Sequence, residues 1–227
     1  MDTQEMMALR SVAGRIALVT GAASGMGRAT ARLLAAMGAK VAVTDFNGPG
    51  AQMVAQDIVS SGGIAQPWAL DVADRERVAT VVAEAAGAFG GLDIVVNNAG
   101  ISNALPFDDP QYEEAWQRLI AVIMTGTQQV TRAALPWLRK SNAARIVNIA
   151  STEALGATAG HSGYSAAKAG VAGLTRENVA SHLQKHRMRL KREEEEEGGS
   201  AFAALNLVGI LAAGGLYGYM SIQKKQA

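Results

Sequence analysis

Short apolar runs alternate with stretches of helical spacing through most of the chain, and this alternation limits the fold more than any other feature. The first run, residues 16–20, reads I-A-L-V-T and ends before a glycine, as expected of a strand buried on both faces. Comparable runs cover residues 41–45, 64–70, 92–97 and 146–150. Strands separated by helices run parallel, and right-handed crossovers place helices on both faces of the sheet. The sequence therefore predicts an α/β fold with a doubly wound parallel sheet.

Local signals mark where several of these elements begin or weaken. Pro67 weakens the third strand, because proline cannot donate to the ladder. Asp74 stands where the N-cap of the next helix belongs. Asp109, followed by a proline, predicts the start of a long helix over residues 110–138.

Composition excludes several kinds of site. The 227 residues carry a formal net charge of +1, which gives no global field to attract nucleic acid. The chain has no cysteine, so disulfides, thiolate metal sites and a thiol nucleophile are excluded. The three histidines are too few and too poorly spaced to predict a metal centre. We therefore expect neither nucleic acid nor a metal ion as a partner.

The C-terminal part departs from this pattern. After a first domain of residues 1–183, residues 184–200 carry a basic stretch, an acidic run and a G-G-S sequence, which indicate a charged linker. Residues 201–222 contain no charged residue and are long enough to span a bilayer, so a membrane anchor is one prediction. The alternative is an apolar replacement for core elements, or the product of an altered exon or reading frame. The N-terminus resembles no secretory signal, so the expected location is the cytoplasm, with or without that anchor.

A glycine-rich turn at residues 20–27, T-G-A-A-S-G-M-G, joins the first strand to the first helix. Backbone N–H groups at a helix N-terminus bind a pyrophosphate when no Cβ atoms block its approach, and glycines meet that requirement. Isolated turns of this kind are often only tight turns. Here the turn stands between a predicted strand and a predicted helix, which is the context that a dinucleotide site requires.

Asp45 ends the second strand, where a carboxylate can accept hydrogen bonds from the ribose of an adenosine. The alternative is a turn-forming aspartate, since N-G-P-G follows at residues 47–50. A carboxylate at this place repels a 2′-phosphate. The sequence therefore predicts NAD(H) in preference to NADP(H).

Tyr164 and Lys168 have the spacing that places a phenol and an ammonium on one face of a helix. A free tyrosine titrates near pH ~10 and is a poor base at neutrality, but a neighbouring positive charge stabilises the phenolate. Most pairs with this spacing are only surface pairs. Ser151, at the end of the fifth strand, adds a hydroxyl that can donate to a substrate carbonyl oxygen.

Together these motifs resemble the short-chain dehydrogenase/reductase family. The matching set is the glycine turn, Asp71-Val72, N-N-A-G at residues 97–100, Ser151, and Y-S-A-A-K at residues 164–168, in the family's order. The resemblance covers about residues 10–176 and implies a Rossmann-like sheet.

The resemblance also implies how NAD would be bound. Asp71 and Val72 would contact the adenine, and Asn98 would line the adenosine side of the pocket. The residues that would line the pyrophosphate and nicotinamide side are Gly21, Ser24, Gly25, Met26 and Gly27.

The catalytic roles follow from the same resemblance. Tyr164 would be the general acid and base, and Lys168 would hold the nicotinamide ribose and favour the phenolate. Ser151 would orient the substrate oxygen. The expected reaction is hydride transfer between NAD(H) and a secondary alcohol or ketone, and the sequence does not name the substrate.

Two departures from the family leave an alternative open. Ile123 stands where the family has an asparagine that is thought to anchor a water in the proton relay. The family's later strand, Pro-Gly turn and substrate-covering loop are not visible after Thr175, so the fold is expected to be C-terminally truncated, with an apolar C-terminal helix. The alternative function is therefore a weak or inactive relative that binds a dinucleotide or a partner. A homo-oligomer through the helices at residues 110–138 and 162–183 is also expected by resemblance.

Overall fold

The computed structural model describes residues 11–174, in which five strands alternate with helices. The strands are β1 Ile16–Thr20, β2 Lys40–Asp45, β3 Ile64–Ala69, β4 Ile94–Asn97 and β5 Arg145–Asn148. The α-helices are α1 Gly25–Ala36, α2 Gly48–Ser60, α3 Arg75–Phe89, α4 Tyr112–Leu119, α5 Gly126–Leu138 and α6 Ser162–Leu174. The predicted alternation is confirmed.

All of the strand pairs are parallel, and the order in the sheet is β3-β2-β1-β4-β5. The order reverses between β1 and β4, and in sheets of this type ligands bind at the carboxyl ends of the strands on either side of that point. The glycine turn follows β1 and the N-N-A-G sequence follows β4, so both lie at this crevice. The doubly wound parallel sheet is confirmed.

Two apolar cores cover the two faces of the sheet, because successive side chains of a strand point to opposite faces. In β1, Leu18 packs in the core beneath α3 and α5, while Ala17 and Val19 pack in the core beneath α1 and α2. All three side chains are fully buried. The inference that β1 is buried on both faces is confirmed.

The local sequence signals at Pro67, Asp74 and Asp109 had different outcomes in the structure. β3, which contains Pro67, lies at one edge of the five-stranded sheet in residues 11–174. The Asp74 carboxylate accepts hydrogen bonds from the amides of Glu76 and Arg77, as an N-cap does. The predicted helix start at Asp109 is wrong by two positions: the Asp109 carboxylate accepts from the Gln111 amide in a turn, and α4 begins at Tyr112.

The long helix predicted over residues 110–138 is interrupted at its middle. Ile120–Thr125 is π-helical and lies between α4 and α5. This segment packs against α6, the helix that carries Tyr164 and Lys168. A π-helical segment inside an α-helix is often found at a functional site.

Several predictions fall on residues that the structure does not describe. The linker at 184–200, the apolar segment at 201–222 and the truncation after Thr175 all lie outside residues 11–174. Within residues 11–174, no helix combines the length and the apolar character needed to cross a bilayer.

Candidate active site

The glycine turn is built so that its backbone can approach a ligand. Gly21 and Gly25 have φ angles of +63° and +51°, which favour glycine. A Cβ atom on Gly27 would overlap the Gly21 carbonyl oxygen and lie 2.8 Å from the Gly21 carbonyl carbon. Ser24, the N-cap of α1, makes no capping hydrogen bond with its side chain. Ser24, Gly25 and Met26 are exposed, so the start of α1 is open to a ligand.

Asn98 braces this turn from the end of β4. Its side-chain amide donates to the carbonyl oxygens of Thr20 (2.9 Å) and Gly21 (3.0 Å). The Thr20 hydroxyl oxygen accepts from the amides of Asn98 (3.1 Å) and Ala99 (3.0 Å). Asn98 therefore fixes the shape of the glycine turn. Thr20 is a further site residue, and the one signal for it is a polar residue at the end of an apolar strand.

The Asp45 carboxylate lies between the glycine turn and the start of α2. One oxygen accepts from the Ala23 amide at 2.9 Å, and the other accepts from the Asn47 amide at 2.8 Å. The second bond is that of a turn-forming aspartate, which was the alternative interpretation. The first bond places the negative charge beside the glycine turn, and the ribose-binding role of Asp45 stays a prediction.

Asp71 and Val72 follow β3, with different surroundings. The Asp71 carboxylate accepts from Arg118 of α4 at 2.9 Å and from the Ala73 amide at 2.9 Å. Val72 is 5% exposed and packs so closely on α5 that a Cβ atom on Gly126 would lie 2.7 Å from its Cγ2. Val72 therefore fixes the position of α5 relative to the crevice.

Tyr164 and Lys168 face the same space from α6. The Lys168 Nζ atom lies 5.8 Å from the centre of the Tyr164 ring and donates to the Ile149 carbonyl oxygen at 2.6 Å. The Lys168 side chain is only 4% exposed, and within residues 11–174 no carboxylate forms an ion pair with it. Burial lowers the pKa of the Lys168 ammonium from its usual value.

Ser151 lies just beyond β5, where its Oγ accepts from the Glu153 amide at 3.2 Å and starts a single 3₁₀ turn, Thr152–Ala154. This turn packs against α6, which brings Ser151 to the Tyr164 side of the crevice. The bond from Glu153 uses a lone pair of Oγ and leaves the hydroxyl hydrogen to be donated elsewhere.

Ile123 lies in the π-helical segment and is 1% exposed. It packs with Leu119, Ala167 and Val171, and the Tyr164 ring lies against the same cluster. The prediction that Ile123 continues the apolar stripe is confirmed. The Tyr164 ring therefore packs against an apolar surface.

The segment after β4 joins the two halves of the site. A Cβ atom on Gly21 would lie 2.8 Å from Ala99 Cα, and a Cβ atom on Gly100 would lie 3.7 Å from Lys168 Nζ. The N-N-A-G segment therefore touches the glycine turn on one side and approaches Lys168 on the other. A ligand along the carboxyl ends of β1 and β4 would meet both halves.

This arrangement suits a dinucleotide better than a metal ion. Within residues 11–174, no three histidine, aspartate or glutamate side chains converge to hold a metal. The crevice instead combines an open helix N-terminus with a tyrosine and a buried lysine.

Sequence comparison agrees with the geometry. The model of the short chain dehydrogenase family matches residues 15–191, which is most of the chain. The chain belongs to the short-chain dehydrogenase family. Short-chain dehydrogenases use NAD or NADP, and the resemblance inferred from the motifs is confirmed.

Two curated relatives are similar over most of this chain. It is 42% identical over 173 residues to cis-4-hydroxycyclohexanecarboxylate dehydrogenase of Sinomonas cyclohexanicum, covering 75% of this chain and 68% of the relative. It is 38% identical over 165 residues to D-beta-hydroxybutyrate dehydrogenase of Cupriavidus necator, covering 72% and 63%.

A solved short-chain dehydrogenase has the same fold. The crystal structure of the protein from Mycobacterium avium matches with a TM-score of 0.73 and 36% identity, covering 78% of this chain and 65% of that chain. This chain thus spans about two thirds of the length of the family members it matches.

Proposed function

We propose that this chain is an oxidoreductase that transfers a hydride between NAD(H) and a secondary alcohol or ketone. The observation that carries the proposal is the buried Lys168 ammonium, 5.8 Å from the Tyr164 ring and without a carboxylate partner in residues 11–174. Burying an unpaired charge costs free energy, and such groups concentrate at functional sites. Here the charge lies beside the Tyr164 ring, where it can stabilise negative charge that develops on the phenol oxygen during proton transfer.

The residues of the crevice fit a bound dinucleotide. The exposed start of α1 can hold the pyrophosphate, with Gly21, Ser24, Gly25, Met26 and Gly27 as the proposed contacts. Asn98 acts by holding that turn in shape. For the adenine side we propose Asp71 and Val72, and the Asp71 carboxylate is held in place by Arg118.

The proton transfers are assigned to the chain's own side chains. The bound nicotinamide supplies or accepts the hydride. During reduction of a ketone, Tyr164 gives its phenolic proton to the substrate oxygen, and the Lys168 charge stabilises the phenolate that remains. The Ser151 hydroxyl donates to the same oxygen and orients it. During oxidation of an alcohol, the Tyr164 phenolate takes the proton back.

The test is NADH oxidation by the full 227-residue protein, followed by absorbance. The substrates are ketones, including those that correspond to the alcohols in the two relatives' names. We expect Tyr164→Phe to lower kcat about 10³-fold and to leave the Kd of NADH unchanged, because the phenol acts in proton transfer.

Tyr112→Phe is the matched control. It removes a phenol that is hydrogen-bonded to Ser162 at the start of α6, outside the crevice. It should retain the wild-type kcat. Equal rates for wild type and Tyr164→Phe would refute the mechanism, and a protein that binds NADH without turnover would support the alternative of an inactive relative.

The preference for NAD(H) rests on Asp45. Its carboxylate accepts from the Ala23 amide, so its negative charge stands beside the turn that would hold the adenosine ribose and pyrophosphate. We expect NADH to bind at least about 10-fold more tightly than NADPH in a fluorescence titration, which corresponds to ~1.4 kcal/mol. Asp45→Asn should reduce the difference between the Kd values of NADH and NADPH. Equal Kd values of the two cofactors for the wild-type protein would contradict the proposed preference.

A further inference from the structure

Glu153 connects the segment that carries Ser151 to the helix that carries Tyr164. Its backbone amide donates to Ser151 Oγ at 3.2 Å. Its carboxylate accepts from the Ser165 hydroxyl at 3.2 Å, and Ser165 directly follows Tyr164 in α6. One residue therefore contacts Ser151 itself and the neighbour of Tyr164.

The same carboxylate also closes the loop between them. It accepts from the Thr158 hydroxyl at 2.6 Å and from the Thr158 amide at 2.9 Å. These hydrogen bonds, together with that from Ser165 and the electrostatic effect of His161, hold the pKa of the Glu153 carboxyl below its usual value. Glu153 is thus ionised at neutral pH, and its oxygens are available as acceptors.

Glu153 is not held by a cation in the described part of the chain. No lysine or arginine in residues 11–174 forms an ion pair with it. Its ligands are hydroxyl and amide donors, which fix a carboxylate more directionally than a flexible ammonium does. A further hydrogen bond, donated by Lys168 to the Ile149 carbonyl oxygen, links α6 to the residue that follows β5.

We propose that Glu153 is a positioning residue for the reaction, because its carboxylate ties the Ser151–Thr158 segment to α6 and so fixes the Ser151 hydroxyl relative to the Tyr164 phenol. The inference rests on the proposed function. Both hydroxyls must reach one substrate oxygen, and a small misplacement of either group slows the chemical step. Glu153 acts through its neighbours and not on the substrate.

Glu153→Gln tests this role. Glutamine keeps the size of the side chain but removes the negative charge. Its NH₂ group is a donor, so it cannot accept the hydrogen bonds that Thr158 and Ser165 donate to the carboxylate. We expect kcat for the best ketone of the panel to fall about 10-fold, while the Kd of NADH stays at the wild-type value. A purely structural role would instead lower the melting temperature and leave kcat unchanged.

Ser165→Ala supplies a second and milder variant, since it removes only the α6 end of the link. We expect it to lower kcat in the wild-type background and to have no further effect in the Glu153→Gln background. If the double variant lowers kcat by the product of the two single effects, the two residues act independently, which overturns the proposal. Wild-type kcat in both single variants would overturn it as well.

Glu84→Gln is the control for loss of a carboxylate. Glu84 lies on α3 in an exposed ion pair with Arg77, and the variant should retain the wild-type kcat. If the wild-type protein reduces no ketone of the panel, the proposed function itself fails and the role of Glu153 fails with it. An active wild type with an unaffected Glu153→Gln variant contradicts the role of Glu153 alone.

Discussion

The glycine turn after β1 and helix α6, which carries Tyr164 and Lys168, both lie at the crevice formed by the carboxyl ends of the strands, but different forces hold them there. The turn is fixed by backbone geometry and by hydrogen bonds that Asn98 and the Ala99 amide donate to Thr20 and Gly21. The inner face of α6 is fixed by apolar packing against Ile123, with a buried lysine among the apolar side chains. One half of the site is therefore a hydrogen-bonded backbone structure, and the other is a packed interface that contains a charge.

The difference predicts how each half responds to substitution. At Gly21 and Gly27 an added Cβ atom would overlap backbone atoms, so a substitution there should lower both stability and dinucleotide binding. In the packed half, polarity matters more than volume, so stability and turnover can change in opposite directions. Substitutions in the glycine turn and in the packed half test this contrast separately.

The largest effect is expected from Gly27→Ala. Its Cβ atom would overlap the Gly21 carbonyl oxygen, which belongs to the backbone and cannot rotate away. We expect a loss of about 3 kcal/mol or more in the free energy of unfolding, together with loss of NADH binding. Urea denaturation and fluorescence titration measure the two effects.

Gly87→Ala is the matched control on α3. A Cβ atom on Gly87 meets no atom within 4 Å, and the residue lies in a regular helix. Alanine should stabilise the protein by about 0.5–1 kcal/mol, because it reduces the entropy of the unfolded chain. Similar effects of both substitutions would show that the glycine turn is less constrained than its geometry indicates.

A smaller effect is expected from Ile123→Asn in the packed half. The amide enters a site that is 1% exposed, so the free energy of unfolding should fall by about 2 kcal/mol. The same amide would lie near Lys168, since a Cβ atom on Gly100 would be 4.0 Å from Ile123 Cγ1 and 3.7 Å from Lys168 Nζ. It can hold a water for proton transfer, so kcat should rise by up to about 10-fold.

Ile123→Val keeps the site apolar and serves as the control. Ile123→Val should lower the free energy of unfolding by about 1 kcal/mol and should not raise kcat. A gain in kcat with valine, or unchanged stability with asparagine, would contradict the contrast between the two halves.

The sequence predicts the regular part of this molecule well, because strands buried on both faces read as short continuous apolar runs, while the helices that cover them show a helical period. The five strands follow from those runs, and the N-cap at Asp74 follows from local capping chemistry. The π-helical segment Ile120–Thr125 could not be predicted, since its apolar positions also satisfy an ordinary helical stripe.

The site is less predictable where it depends on contacts between distant residues. The glycine turn, Ser151, Tyr164 and Lys168 are recognisable as motifs. The pairing of Asp71 with Arg118, 47 positions away, has no local signal. The bond between Glu153 and Ser165 also forms only once the loop folds back on α6.

The smallest effect concerns the charge on Lys168. Burial lowers its pKa in the folded protein below the usual value of 10.5, so the unfolded chain binds more protons between those two pKa values. The free energy of unfolding of the wild type should therefore rise with pH, relative to Lys168→Met, through the window that begins at the lowered pKa and ends near 10.5. We expect a gain in the stability of the wild type relative to Lys168→Met across this window, measured by urea denaturation at alkaline pH. If the difference in the free energy of unfolding between the wild type and Lys168→Met stays constant with pH, the Lys168 ammonium is solvated. The packed half of the site would then hold no desolvated charge, and its electrostatic difference from the glycine turn would be refuted.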